Sequence, residues 1–84
     1  MFGLGGTRIV IRTDRTGRRE IATKGRPDPL AAKVVAFVRD LPIERGTIRI
    51  ERTRQGAARP VFSRGIDERL AQRVRNYVLS LSSM

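Results

Sequence analysis

The segment from Thr47 to Leu81, TIRIERTRQGAARPVFSRGIDERLAQRVRNYVLSL, reads as strand, turn, strand, helix. Thr47–Thr53 alternates, with Ile48 and Ile50 on one face and Arg49 and Glu51 on the other. Arg54-Gln55-Gly56-Ala57 is a turn, and Arg59–Ser63 returns as a strand. Pro60 cannot donate to a sheet ladder, which points to an edge strand or a strand start. Gly65 breaks the strand. From about Asp67 to about Leu79 the apolar residues Leu70, Val74, Tyr77, Val78 and Leu81 recur at helical spacing. Arg69, Gln72, Arg73 and Asn76 occupy the opposite face, Arg75 its flank, and Ser80–Met84 are expected to fray.

The same pattern occurs earlier in the chain. Displaced by 40 positions, Thr7 meets Thr47, Arg12 meets Arg52, Arg19 meets Arg59 and Gly25 meets Gly65. Leu30, Ala31, Val34, Val38 and Leu41 meet Leu70, Ala71, Val74, Val78 and Leu81. A fixed period of this length marks a repeated supersecondary unit whose apolar face one copy cannot cover alone.

In the first unit, Arg8–Thr13 is a strand, and its Ile9-Val10-Ile11 run suits a central position. Asp14-Arg15-Thr16-Gly17 turns, Gly17 taking the left-handed conformation of a bulged hairpin. Arg19–Lys24 is the second strand. Asp28 caps a helix that Pro29 opens and Pro42 ends, with Leu30, Val34, Phe37, Val38 and Leu41 as its stripe. Ala31, Val35 and Ala36 widen that stripe, so cover on more than one side is expected.

The expected fold class is α+β: two tandem ββα units, at 7–41 and 47–81, form a four-stranded antiparallel sheet with both helices on one face. A twofold axis normal to the sheet gives strand order 2-1-3-4, with Pro60 on an edge. The whole chain, 1–84, reads as one domain with a loose terminus at 1–6, where Phe2 and Leu4 could dock. One tension remains. The repeat pairs Val10 with Ile50, whereas alternation turns Ile9 and Ile11 inward. Either the register slips by one residue or the outer face of the first strand is also covered.

Composition narrows the function classes. There are 18 Lys and Arg against 8 Asp and Glu, a net charge of +10. That balance favours anionic partners, nucleic acid first and an anionic membrane surface second. Nearly all the cations are Arg, which a GC-rich genome would also produce. With no Cys and no His, zinc sites of those ligands, a histidine base and thiol chemistry are excluded. The lack of Cys fits a reducing cytoplasm. No apolar stretch approaches the roughly 20 residues that span a bilayer. The carboxylates are scattered over a turn (Asp14), helix starts (Asp28, Asp67, Glu68) and a strand face (Glu51). No acid–base pair, metal cluster or phosphate-cradling loop emerges, so the expectation is a non-enzyme without cofactor, metal or small-molecule substrate.

Residues 46–76 resemble the C-terminal part of a small bacterial family of unknown function. Its pattern is G-x-I-x-V, then an apolar residue with x-F-S, then I, then Q-R-x-R-N. Here these are Gly46, Ile48 and Ile50; Phe62-Ser63; Ile66; and Gln72-Arg73-Val74-Arg75-Asn76. Pro60 stands where that family tends to be apolar, and the N-terminal apolar anchor of many members is absent. The resemblance implies a bacterial protein but no activity. The ββαββα order is also similar to that of the small translation initiation factor typified by eukaryotic initiation factor one. Gly17-Arg18-Arg19, Ile21 and Gly25 echo its basic hairpin, although its glycine-rich hinge and Q-G-D turn are missing. This likeness implies RNA and the ribosome.

The basic residues form two candidate surfaces. Arg12, Arg15, Arg18 and Arg19, with Lys24 and Arg26 beyond, cluster on the first hairpin and could follow a phosphate backbone. Arg49 joins them on the open sheet face. Arg69, Arg73 and Arg75 lie on the outer face of the second helix. Each group would also suit ordinary solvated surface. Phe37, Tyr77 and Phe62 read as core, leaving no aromatic platform for bases, so binding would go by charge and shape. The leading expectation is a nucleic-acid-binding module, RNA ahead of DNA. The alternative is a protein-interaction or homodimerising module, supported by the apolar outer face of strand 1, the wide arc of helix 1 and Leu79.

Overall fold

The structure is a computed structural model that describes residues 6–52, 54 and 56–82. The element order is β1 (Thr7–Thr13), β2 (Arg19–Gly25), α1 (Pro29–Val38), β3 (Gly46–Arg52), β4 (Ala58–Phe62) and α2 (Glu68–Ser82). The strands form one antiparallel sheet in the order β2-β1-β3-β4. The α+β architecture expected from the two ββα units is therefore present, with Pro60 on an edge strand. Element bounds shift by one to three residues. α1 ends at Val38 with Arg39 as C-cap, so Leu41 is buried from the loop beyond the helix, and α2 runs on through Ser80–Ser82. The readings of Met1–Gly5, Thr53, Gln55 and the last two residues lie outside the described ones.

Ile9, Ile11, Ile48 and Ile50 point to one side of the sheet and meet Ala31, Val34 and Val38 of α1 and Ala71, Val74 and Val78 of α2. Both helices thus cover the same face. Ile43 and Ile66, from the loops before β3 and α2, complete the core. Phe37 and Tyr77 stack between the helices, their centroids 4.2 Å apart. Both are only half-buried. On α1, Val35 is half-buried and Ala36 exposed, so the expected second cover is not seen among the described residues.

The register tension resolves as a slip. β1 and β3 begin 39 positions apart, as do β2 and β4. Gly17 and Gly56 both have φ of 84°, and Ile9 pairs with Ile48, its own equivalent, at the twofold centre. Only the helix faces keep the 40-residue spacing. The difference is absorbed in the first helical turn, where Ala31 N–H reaches back three residues to Asp28 O while Ala71 N–H reaches back four to Asp67 O. The 40-spaced matches in the hairpins are therefore not structural equivalents. Because side chains alternate with period two, that single residue puts Arg19 and Arg59 on opposite faces.

Asp28 fastens the sheet to α1. Its carboxylate accepts the N–H of Leu30 and two donations from the Arg52 guanidinium. Arg52 holds that carboxyl below its usual value of 3.8; partial burial opposes the shift and the Leu30 N–H adds to it. A carboxylate depressed on folding stabilises fully above the unfolded value and loses that contribution as pH falls through the lower folded one. Asp28→Asn keeps a capping oxygen and costs under about 1 kcal/mol, whereas Asp28→Ala loses cap and pair and costs about 1–2 kcal/mol. Urea titrations at pH 7 and below pH 4 check this: the gap between wild type and Asp28→Asn closes as the carboxylate protonates.

Candidate nucleic-acid interface

The face of the sheet opposite the helices carries Arg8, Val10 and Arg12 of β1, Glu20, Ala22 and Lys24 of β2, Thr47, Arg49 and Glu51 of β3, and Arg59 and Val61 of β4. Its five cations are all exposed, and only two carboxylates stand among them. Arg8 is the centre of the pattern. It lies opposite Lys24 on one side and Arg49 on the other, so three cations run in a row across three adjacent strands. Like charges directly opposite destabilise a sheet. Arg49 is partly compensated by Glu51 at 3.0 Å, an exposed and easily screened pair. Arg12 lies opposite Glu20. Among the described residues, no ion pair includes Arg8 or Lys24.

At the end of this face, the β1–β2 loop is held in shape by Asp14. Its Oδ1 accepts from the Thr16 hydroxyl and from the N–H groups of Thr16 and Arg18. Those bonds, led by the Thr16 hydroxyl, lower the Asp14 pKa below 3.8. Gly17 N–H returns to Asp14 O and closes the turn. Arg15 and Arg18 are thereby displayed, exposed, from an ordered tip. Arg26 is exposed beyond β2, and its carbonyl accepts the Thr7 hydroxyl.

Arg19, the third arginine of this hairpin, has a different position. It lies on the helix side, half-buried, and its guanidinium donates to Leu41 O at 2.6 Å, to Ile43 O at 3.1 Å and to Arg39 O. It ties β2 to the carbonyls leaving α1. Arg19→Ala is expected to cost about 2–3 kcal/mol, because several half-buried acceptors lose a charged donor. It should leave the affinity of the folded protein for polyanions nearly unchanged. Arg19→Lys restores only part of the stability, since a point charge cannot span the set. Urea unfolding and a binding titration on the same variants check both statements.

The α2 arginines occupy the helical layer, away from the open face. Arg75 donates to Glu68 at 2.7 Å and to Gln72 Oε1, with its guanidinium 5.1 Å from the Phe62 ring centroid. Gln72 in turn donates to Asn76. The Q-R-x-R-N stretch thus makes a local clamp over the phenylalanine of the F-S pair. Arg69 and Arg73 remain exposed. The ten residues singled out by sequence fall on separate surfaces: Arg12, Lys24 and Arg49 on the open face, Arg15, Arg18 and Arg26 at its ends, Arg69, Arg73 and Arg75 on α2, and Arg19 half-buried on the helix side of the sheet. Sequence reasoning missed Arg8 and Arg59. Arg8 takes its place from the β1–β3 register that sets it opposite Arg49, which the 40-residue alignment does not give.

The apolar features are modest. On the open face only Val10, Ala22 and Val61 are apolar. Leu79 is 63% exposed and borders a groove between β4 and α2 that Phe62, Ile66 and Val78 also line. Among the described residues, no three Asp or Glu side chains gather as a metal-holding group, and no helix is long and apolar enough to cross a membrane. Set against protein-family models, curated proteins and solved structures, the chain matches none of them.

Proposed function

We propose that this chain is a non-catalytic nucleic-acid-binding module that lays a polyanion across its open sheet face. The observation that carries the reading is the Lys24–Arg8–Arg49 row. It places like charges side by side, at a cost to the fold, on an exposed surface whose other residues would tolerate carboxylates. Local choices that oppose the fold are expected at functional sites. Phosphates relieve the repulsion and release counterions on contact. Arg12, Arg59 and the loop arginines Arg15 and Arg18 extend the track. The aromatic rings of the described residues lie between the helices or under Arg75, so no stacking platform is offered and sequence preference is slight. RNA is placed ahead of DNA on the likeness to the initiation factor.

The test is fluorescence anisotropy with labelled single- and double-stranded RNA and DNA across a salt series. Four phosphate contacts give micromolar affinity near physiological salt and a log–log salt slope of about −3 on single strands. Absence of binding even at low salt would make the charge compositional and remove nucleic acid as the partner. Self-association is the second reading, favoured by a feature of the sheet edge rather than by an apolar face.

A further inference from the structure

The two outer edges of the sheet are treated differently. Along β4, Ser63 N–H donates to Thr47 O. Antiparallel alternation then directs Arg59 and Val61 towards β3 and leaves Ala58, Pro60 and Phe62 facing outward. Pro60 removes the middle donor of that edge, a common defence against pairing with another chain. Its structural equivalent in the first unit, 39 positions earlier, is Ile21. Along β2, Asp14 N–H donates to Arg18 O, so Glu20, Ala22 and Lys24 bond to β1 while Arg19, Ile21, Thr23 and Gly25 face outward. That edge is seven residues long and has no proline. Among the described residues, no strand covers it.

We propose that this edge pairs with the same edge of a second copy, antiparallel about Ala22, to give an eight-stranded sheet in a twofold dimer. The inference goes beyond nucleic-acid binding and does not depend on it. Self-pairing about Ala22 sets Ile21 opposite Thr23 and Arg19 opposite Gly25 of the other copy, so the four outward donors meet outward acceptors. It sets Glu20 opposite Lys24 of the other copy, twice by symmetry. These fall at non-hydrogen-bonded positions, where side chains approach most closely. Pairing centred on Ile21 or on Thr23 would place both charges opposite Ala22 or past the strand end. The charge pattern therefore selects one register. The dimer also masks Glu20, the carboxylate beside Arg12, and joins two open faces into one. At either end Arg18 nears Arg26 of the other copy outside the paired strands, so the association is weak, with a Kd on the order of 10–100 μM.

Sedimentation equilibrium of the full chain over a concentration series reads the association directly. The expected mass moves from 9.4 kDa towards twice that value. Glu20→Lys and Lys24→Glu each turn two attractive pairs into repulsive ones and weaken association by about tenfold or more, and E20K/K24E restores it. Thr23→Pro removes one outward donor and no ladder bond to β1; it yields a monomer whose circular dichroism and urea midpoint match a folded chain. A wild type that stays at monomer mass throughout overturns the proposal. So does a dimer that Thr23→Pro leaves intact, or a charge swap that fails to restore what the single variants lose.

Discussion

Arg8→Glu lowers affinity for single-stranded RNA by about 30-fold or more near physiological salt while raising the stability of the free protein. The two effects have opposite signs for one reason. In the folded chain Arg8 stands between Lys24 and Arg49. Glutamate there converts two like-charge contacts into two opposite-charge ones, each cross-strand pair being worth roughly 0.2–1 kcal/mol. Summed, the gain is about 0.5–1 kcal/mol, discounted because all three side chains are exposed. On the bound side, one phosphate contact is lost and a carboxylate is set in the track of the polyanion. Arg8→Ala separates these contributions: it removes the contact without the repulsion, and the salt slope on single strands shallows by about 0.7.

Arg69→Glu is the control. It makes the same change of charge on the helical layer, at an exposed position of α2. A protein whose affinity followed net charge alone would lose as much from Arg69→Glu as from Arg8→Glu. An interface on the open face predicts a loss of about twofold from the former, by screened long-range repulsion. Equal losses, or wild-type binding by Arg8→Glu, would sink the assignment of the face. Anisotropy titrations and urea midpoints on the three variants supply every comparison.

The parts of the fold legible in the sequence were those with a local cause. Alternation gave Ile48 and Ile50 inward, helical spacing gave Val74 and Val78, and Pro60 gave an edge. The strand order followed from treating the two units as symmetric. Register was not legible from identities, because a chance match of Thr7 with Thr47 weighs as much by eye as the true equivalence of Ile9 with Ile48. In a strand, an error of one residue exchanges the faces. The position of Arg19 was not legible for this reason: its neighbours in sequence are solvated, but its partners are carbonyls 20 or more residues away. Arg8 was missed for the converse reason. Nothing adjacent to it is unusual, and its meaning comes from Lys24 and Arg49, which only pairing brings beside it. The nearness of Gln72 and Asn76, by contrast, needed only the spacing of a helix.

Gly46→Ala is expected to cost about 3–5 kcal/mol. Two causes add. Gly46 has φ of 149°, a conformation that L side chains rarely adopt, and forcing one there costs about 1–3 kcal/mol. A Cβ would also stand 2.5 Å from Ile66 Cγ1, 2.9 Å from its Cδ1 and 3.3 Å from Ser63 Oγ. Ile66 is in the core at 8% exposure and Cγ1 is close to its backbone, so it cannot swing aside freely. Ser63 is held too, its hydroxyl accepting from Thr47 N–H and its own N–H donating to Thr47 O. Displacing either neighbour therefore loosens the start of β3 and the end of β4 together. For a chain of this size the loss corresponds to a Tm drop of about 15–30 °C. Gly17→Ala, at a different positive φ of 84° with nothing within 4 Å of a Cβ, carries no clash; its cost is about 1 kcal/mol. Ile66→Ala in the Gly46→Ala background then isolates the clash. The double variant is less destabilised than the two singles added, by about 1–3 kcal/mol. Additive losses would mean that the methyl and Ile66 never meet. These three residues, with Phe62 beneath Arg75, all fall within the stretch 46–76. In this chain each of them serves packing or hydrogen bonding beneath the helices. That stretch therefore specifies the scaffold, while the cations that distinguish the open face lie mostly outside it.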